Sequence, residues 1–145
     1  MAAAITLNIG SSDTRAGAQS GRGLDAGGDL VVRSLSEVDV YGEADGSAVS
    51  KTGDGIGAAV VVNYNNADNT AAVGGGASTV AADGIAVEAR MRGVDTAKHS
   101  SIAKTKSGAG GKGIGVAGSV SINLFDMDTT AEVRTGTTLD LEGGD

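Results

Sequence analysis

Apolar and polar residues alternate along short segments of the chain, and glycine, aspartate, asparagine and serine separate these segments. Alternation with a period of two is typical of β-strands that bury one face. The strand-like segments fall into five intervals, each about 27 to 30 residues long, that begin at Ala2, Asp29, Ile56, Gly84 and Ile114. Each interval contains about three such segments, and the residues between them favour turns. The pattern predicts an all-β chain.

The first, third and fifth intervals also share residue identities. GIGAAVVVNYNNADNTAAV (55–73) has a close counterpart in GIGVAGSVSINLFDMDTTAEV (113–133), with Asp68 matching Asp128 and Val73 matching Val133. ITLNIGSSDTRAGA (5–18) is a weaker third copy. In each copy we predict a strand, an Asp-containing turn, a second strand and a third short strand. Repetition of this kind indicates a repeat architecture.

Alternation also predicts which side chains face the interior, because successive strand residues point to opposite faces. We expect the large apolar residues of the three copies to be buried, namely Ile5, Leu7, Ile9, Val60, Val62, Tyr64, Val120, Ile122 and Leu124. The opposite positions, including Ser119, Ser121 and Asn123, are expected to face solvent. In the second and fourth intervals the expected inward residues are Leu30, Val32, Ile85, Val87, Ala89 and Met91.

Helix has little support, because 25 of the 145 residues are glycine and each glycine costs a helix about 1 kcal/mol relative to alanine. Three strands in every interval of about 27 to 30 residues predict a parallel β-solenoid with about five three-stranded rungs. Parallel crossovers favour a right-handed β-helix. A narrow interior suits a chain that has no Trp, one Phe and two Tyr.

We expect residues 1–145 to form a single solenoid segment of a longer repeat protein. Met1 leads directly into repeat sequence, and neither end shows an amphipathic helix that could cover the terminal rungs. The beginning of the chain lacks the features of a signal peptide. The longest strongly apolar run, Ile56–Val62, is far shorter than the roughly 20 residues of a membrane helix. The sequence therefore predicts a chain that is not embedded in a membrane.

Charge and cysteine content exclude several function classes. The net charge of −7 and 2% aromatic residues argue against nucleic acid, which is bound through basic surfaces and stacking rings. The absence of cysteine excludes disulfides and thiolate zinc sites.

The two closest copies have a Gly-Ile-Gly turn, an alternating strand that ends in Asn, an Asp-containing turn and then NTAAV or TTAEV. These features resemble the repeats of very large bacterial exoproteins. These are the filamentous-haemagglutinin-like and leukotoxin-like adhesins, which are exported by autotransporter or two-partner secretion. The resemblance implies a β-helical shaft that is extracellular, at the surface of a Gram-negative cell. It supplies no catalytic motif.

Few residues suggest chemistry. His99 lacks catalytic partners at any motif spacing, and Ser107–Gly113 lacks the Ser or Thr and the helix of a phosphate-binding loop. Aspartates in predicted turns could bind structural Ca²⁺, which takes oxygen ligands, but the calcium-binding nonapeptide repeat is absent. These are Asp25 and Asp29, and Asp126 and Asp128. We therefore predict no catalytic, cofactor-binding or metal-binding residue and no cofactor, with structural calcium as the alternative.

Charged residues are distributed unevenly between two of the intervals. The fourth interval and its following loop are basic, with Arg90, Arg92, Lys98, Lys104, Lys106 and Lys112. The second interval is acidic, with Asp29, Glu37, Asp39, Glu43 and Asp45 against Arg33 and Lys51. These stripes could be an ordinary solvated surface or could support side-by-side association.

The sequence favours a structural role, as the shaft segment of a secreted surface adhesin without enzymatic activity. We expect self-association by end-to-end or lateral stacking. An alternative is a module that binds glycan or a host protein through a lateral face or the 98–112 loop. A polysaccharide-degrading enzyme is a further alternative, which would need acidic residues on one outward face.

Overall fold

A computed structural model describes residues 1–18, 21–91 and 99–141. Within these ranges the chain is all-β, as predicted, and none of it is helical, so no helix there could cross a membrane. The twelve strands are β1 (Ala2–Ala18), β2 (Gly23–Asp25), β3 (Leu30–Ser36), β4 (Asp39–Asp45), β5 (Ala48–Val49), β6 (Gly55–Gly74), β7 (Ser78–Ala82), β8 (Ile85–Met91), β9 (Ser100–Lys106), β10 (Ala109–Gly110), β11 (Gly115–Arg134) and β12 (Thr137–Leu141).

The three longest strands, β1, β6 and β11, each join two segments that the sequence predicted to be separate strands. The predicted Asp-containing turns do not form, and Asp68 and Asp128 lie within β6 and β11. Side chains at alternate positions of β6 are buried through this region, including Asn65 and Asn69. Asp68 falls on the other face, where its carboxylate reaches solvent without interrupting the strand.

The strands form five small sheets: β1-β6-β11, β5-β10, β2-β7-β12, β3-β8 and β4-β9. The pairing is parallel in the last four. Leu30 lies opposite Ile85, 55 positions later, and Asp39 lies opposite Ser100, 61 positions later. Neighbouring strands are therefore separated by two of the predicted intervals.

This pairing differs from the predicted rungs, each of which would be one interval long. In such rungs the second interval would stack on the first and third, whereas the structure pairs β3 of the second interval with β8 of the fourth. Odd intervals likewise pair with odd intervals, in the order β1-β6-β11. The physical reason is that odd and even intervals carry different side chains, and like segments match best in adjacent strands.

The chain divides into two compact units. Unit 1 comprises Met1–Ser11, Val38–Asn66 and Ser100–Asp126, and unit 2 comprises Ser12–Glu37, Ala67–His99 and Met127–Asp145. Unit 1 contains the first parts of β1, β6 and β11 together with the β4-β9 and β5-β10 sheets. Unit 2 contains the second parts of those long strands with the β3-β8 and β2-β7-β12 sheets.

Unit 2 has an aliphatic core, and its inward residues are those that alternation predicts. Val32, Ala71, Val73 and Val80 are buried together. The partly buried residues that pack on them are Ala16, Ala18, Leu24, Leu30, Ile85, Val87 and Ala89. The prediction for the second and fourth intervals is therefore confirmed for Leu30, Val32, Ile85, Val87 and Ala89.

Unit 1 has a much narrower interior, made of alanine, valine and glycine. Ala44, Ala59 and Val61 form its buried apolar cluster. A methyl group added to Gly57 would overlap the carbonyl oxygens of Gly46 and Gly108. These close backbone approaches leave no space for large side chains, so glycine is required there.

The faces of the long strands in unit 1 are consequently the reverse of those predicted. Ile5, Leu7 and Ile9 are 78%, 61% and 72% exposed, and their counterparts in β6 and β11 lie on the same outward face. The side chains on the inward face are Asn8, Asn63 and Asn123, of which Asn63 is fully buried. Alternation identified the two faces correctly, but the limited space in unit 1 places the small and amide side chains inside.

The crowding around Gly57 gives a stability prediction. We expect Gly57→Ala to lower the free energy of unfolding by at least about 2 kcal/mol, because a rigid backbone cannot accommodate the added methyl group. The matched control is Gly118→Ala in β11, where an added methyl group meets no atom within 4 Å. The control should be neutral or stabilising by up to about 1 kcal/mol. Chemical denaturation of both variants measures the difference, and equal effects would contradict the tight interior.

Candidate interaction surfaces in unit 1

A chain of asparagine side chains crosses the interior of unit 1 from strand to strand. Asn8 Nδ2 donates to Asn63 Oδ1 at 2.8 Å, and Asn63 Nδ2 donates to Asn123 Oδ1 at 2.8 Å. Asn63 is fully buried, so its amide depends on protein partners. We refer to these three residues as the asparagine ladder. It fixes the register of β1, β6 and β11 because each amide has one correctly placed neighbour.

The asparagine ladder also connects the long strands to the β4-β9 sheet. Asn8 Nδ2 donates to the Tyr41 carbonyl oxygen at 3.1 Å, and Asn63 Nδ2 donates to the Ile102 carbonyl oxygen at 3.1 Å. Tyr41 and Ile102 lie directly opposite each other in that sheet. The same interaction is therefore made twice, once in each successive copy. The sequence signal for this role is an asparagine at the same place in all three copies, where the alternation pattern predicted a side chain facing solvent.

The opposite side of the same strands carries an exposed apolar surface. We define the outer apolar face as Ile5, Leu7, Ile9, Val60, Val62, Tyr64, Val120, Ile122 and Leu124. The asparagine ladder aligns Asn63 with Asn8 and Asn123, so Val62 lies between Leu7 and Ile122. Tyr64 is 38% exposed and Leu124 is 51% exposed. None of the nine side chains is charged.

The β4-β9 sheet carries charged side chains in complementary pairs. Glu43 lies opposite Lys104, and Asp45 lies opposite Lys106. Lys106 Nζ is 3.2 Å from Asp45 Oδ2, and Lys104 Nζ is 5.4 Å from the centre of the Tyr41 ring. The Tyr41 hydroxyl donates to Glu43. Exposed pairs of this kind contribute little individually, but like charges at these positions would oppose the register.

Glu43 and Asp45 of the acidic stripe therefore lie opposite Lys104 and Lys106 of the basic stripe within one chain. In unit 2 the order of charges is reversed, because Arg33 of the second interval lies opposite Glu88 of the fourth, with Nε and Oε2 2.8 Å apart. This pairing accounts for the charge complementarity without a second molecule. Arg92 and Lys98, which belong to the predicted basic stripe, lie outside the described residues.

Hydrogen bonds perturb two titrating groups of β4. The Ser47 hydroxyl and backbone N–H donate to Asp45 Oδ1 at 2.6 and 2.9 Å, and with Lys106 they lower the pKa of Asp45. The hydrogen bond from Tyr41 to the Glu43 carboxylate raises the pKa of Tyr41.

The residues that suggested chemistry in the sequence do not come together. Asp25 Oδ1 accepts a hydrogen bond from Gly27 N at 3.0 Å, an ordinary turn interaction. Asp29 immediately precedes β3, Asp126 and Asp128 lie within β11, and His99 is partly buried immediately before β9. Among residues 1–18, 21–91 and 99–141, no three His, Asp or Glu side chains are grouped as metal ligands.

Ser107–Gly113 was predicted to be an extended loop, and part of it is the short strand β10, which pairs with β5. A methyl group on Gly55 would come 2.7 Å from the Gly110 carbonyl oxygen. The glycines of this segment therefore lie where its backbone packs closely against the start of β6.

An open cleft of about 430 Å³ lies beside β9 in unit 1. Its lining consists of Glu43, Ala103, Lys104, Thr105, Lys106 and Ser121. The Thr105 and Ser121 hydroxyl oxygens are 2.9 Å apart. Glu43 in the lining and Asp45, whose Oδ2 is 3.2 Å from Lys106 Nζ, balance the charges of Lys104 and Lys106, so the cleft has no excess positive charge to attract an anion.

No known protein-family model, curated protein or solved structure matches this chain.

The asparagine ladder gives a second stability prediction. Asn63→Ala removes hydrogen bonds to Asn8, Asn123 and the Ile102 carbonyl and leaves a cavity where the amide was fully buried. We expect a loss of about 3 kcal/mol in the free energy of unfolding. The control is Asn66→Ala on the outward face of the same strand, which should change stability by less than about 0.5 kcal/mol. Similar losses in urea unfolding of both variants would contradict the role of the asparagine ladder.

The Asp45 contacts predict a pH effect. Because its pKa is lower in the folded protein, Asp45 stabilises the fold above its unfolded pKa of about 3.9. That contribution is lost as the pH falls through the lower folded pKa. Ser47→Ala should raise the pKa of Asp45 more than Lys106→Met does, because the Ser47 hydroxyl is the largest cause. Carboxyl carbon NMR titration measures both variants, and the reverse order would contradict this assignment.

Proposed function

We propose that the chain is a structural module, a segment of a right-handed β-solenoid that forms part of the shaft of a secreted bacterial surface adhesin. The observation that carries the proposal is the parallel pairing of like segments that lie two intervals apart in the chain. In such a solenoid each turn would contain five strands rather than three. The proposed work of the module is to be long, stiff and displayed outside the cell.

Two features support a mechanical role. The asparagine ladder repeats the same amide contacts in successive copies, so each added turn would gain the same hydrogen bonds. The charged pairs Glu43–Lys104 and Asp45–Lys106 occupy opposite positions in adjacent strands. In a repeat protein, stability is approximately the sum of such contacts between neighbours. Extending the array would therefore lengthen the shaft without requiring a larger core.

The adhesin assignment and the extracellular location rest on the resemblance of the repeats to filamentous-haemagglutinin-like and leukotoxin-like exoproteins. The acidic composition and the absence of cysteine are compatible with that location. The proposal assigns no catalytic residue, and its distinguishing property is mechanical.

Single-molecule pulling from the two ends of the chain tests this role. We expect unfolding in steps of about 190 to 200 Å, the extended length of one turn of the proposed solenoid at roughly 3.4 Å for each residue. A chain that unfolds in one event at low force would contradict a solenoid that resists tension.

A cysteine pair in this cysteine-free chain provides an internal control. Val31 and Ala86 are opposite in β3 and β8, at a spacing of about 4.8 Å that permits a disulfide. Oxidised Val31→Cys/Ala86→Cys should lose about 190 Å of extension. The matched control is Val31→Cys alone, which cannot form a disulfide within the chain and should lose no extension.

A further inference from the structure

We propose that two copies of this chain associate face to face through the outer apolar face, related by a two-fold axis near Val62. This deepens the proposed function by naming the surface and the partner for lateral association. It does not rest on the mechanical role, because the face is exposed in unit 1 whether or not the chain carries tension.

The size of the face supports a specific but moderate contact. Its three strands, at about 4.8 Å spacing, give a width of about 14 Å. Including its continuation to Ile56 and Val116, which are 41% and 56% exposed, the apolar surface extends over about 30 Å of strand. The flat footprint is roughly 420 Å² per copy, within the range of the largest apolar patch of a monomer, which is often functional.

Side chains that stand above the sheet expose more area than the flat footprint. Ile5 and Ile9, at 78% and 72% exposure, project most of their surface into solvent. Two such faces together therefore approach the roughly 1,200 Å² at the lower limit of specific interfaces. We expect a dissociation constant in the micromolar range. A value of 1 μM corresponds to a binding free energy of about −8 kcal/mol.

The chemistry of the face favours a second copy over other partners. Charged residues are absent from the face and from the preceding row of Ala3, Ala58 and Gly118, as is typical of the centre of a homodimer interface. Sugars stack on aromatic rings, and Tyr64 is the only ring on the face.

The face is also complementary to itself in shape. Two sheets that pack face to face lie about 10 Å apart, with the side chains of their inner faces interdigitating. With a two-fold axis that lies between the two sheets and crosses the strands at Val62, the smaller Val60 of one copy lies opposite the larger Tyr64 of the other. Each strand then lies opposite its own counterpart, so Leu7 meets Leu7 and Ile122 meets Ile122. The polar residues Ser11, Asn66 and Asp126 follow the face at one end and would form its solvated rim.

Sedimentation velocity over a range of 1 to about 500 μM tests the proposal, with the range chosen to span a micromolar affinity. We expect the wild-type chain to pass from monomer to dimer and Val62→Asp to remain monomeric, with affinity at least about 100-fold weaker. The control is Val31→Asp, which places the same substitution on an outward strand position of unit 2 that is 54% exposed in the wild type. It should dimerise like the wild type.

Several outcomes would overturn the proposal. A wild-type chain that stays monomeric at the highest concentration has no such interface. Association that Val62→Asp leaves intact, or open-ended oligomers, would point to strand edges instead. Binding to zwitterionic phosphatidylcholine vesicles that Val62→Asp abolishes, with the free chain monomeric, would identify lipid as the partner.

A crosslinking experiment decides the question if Val62→Asp does not fold. Val62→Cys is a mild change, and the only thiols in the sample are then at position 62. The two thiols of a dimer point at each other between sheets about 10 Å apart, so they should form a disulfide under mild oxidation. Val31→Cys at the same concentration should give no crosslink, and equal yields from the two variants would overturn the proposal. Failure of the pulling test would leave these dimer measurements unaffected, so the two proposals can fail separately.

Discussion

The close approach of strand backbones at Gly46, Gly57 and Gly108 determines which side chains unit 1 can hold in its interior. Where a methyl group would already overlap a carbonyl oxygen, isoleucine, leucine and tyrosine have no room. The large apolar residues of β1, β6 and β11 are therefore exposed despite the hydrophobic cost, and alanine, valine and asparagine occupy the inside. The outer apolar face follows from this packing constraint. Among the described residues of unit 2, methyl groups added to glycine that would come within 3 Å of another atom meet a side chain first, and the aliphatic residues of its core are buried in the usual way.

The asparagine ladder makes that small interior specific. Valine and alanine alone would stabilise several registers almost equally, because their packing changes little when a strand slides by two residues. An amide has a fixed donor and a fixed acceptor, so a shift of two residues would leave Asn63 without Asn8, Asn123 and the Ile102 carbonyl. Burying these amides contributes modest net stability but strongly disfavours the alternatives.

The strand content, the short strands and the aliphatic core of unit 2 could be predicted from the sequence, because alternation and turn residues are local signals. It failed on the faces of β1, β6 and β11 because alternation separates two sets of side chains without saying which set lies inside. Val60 and Asn63 are both suited to a strand, and the choice between them depends on glycines from other parts of the chain. The stacking order was missed for a similar reason, since the pairing of Leu30 with Ile85, two intervals later, is set by which segments match in space.

The connections between successive strands differ in length, whereas β3, β4, β8 and β9 are all seven residues long. Two residues join β3 to β4, whereas eight join β8 to β9, and the pairing separation rises from 55 to 61 positions across that connection. The parallel register is regular on both sides of it, so six additional residues are accommodated without a change in either sheet. Foreign peptides grafted between Met91 and Ser100 should likewise leave both sheets unchanged. The chain could therefore display variable sequences at this connection while the β3-β8 and β4-β9 sheets stay constant.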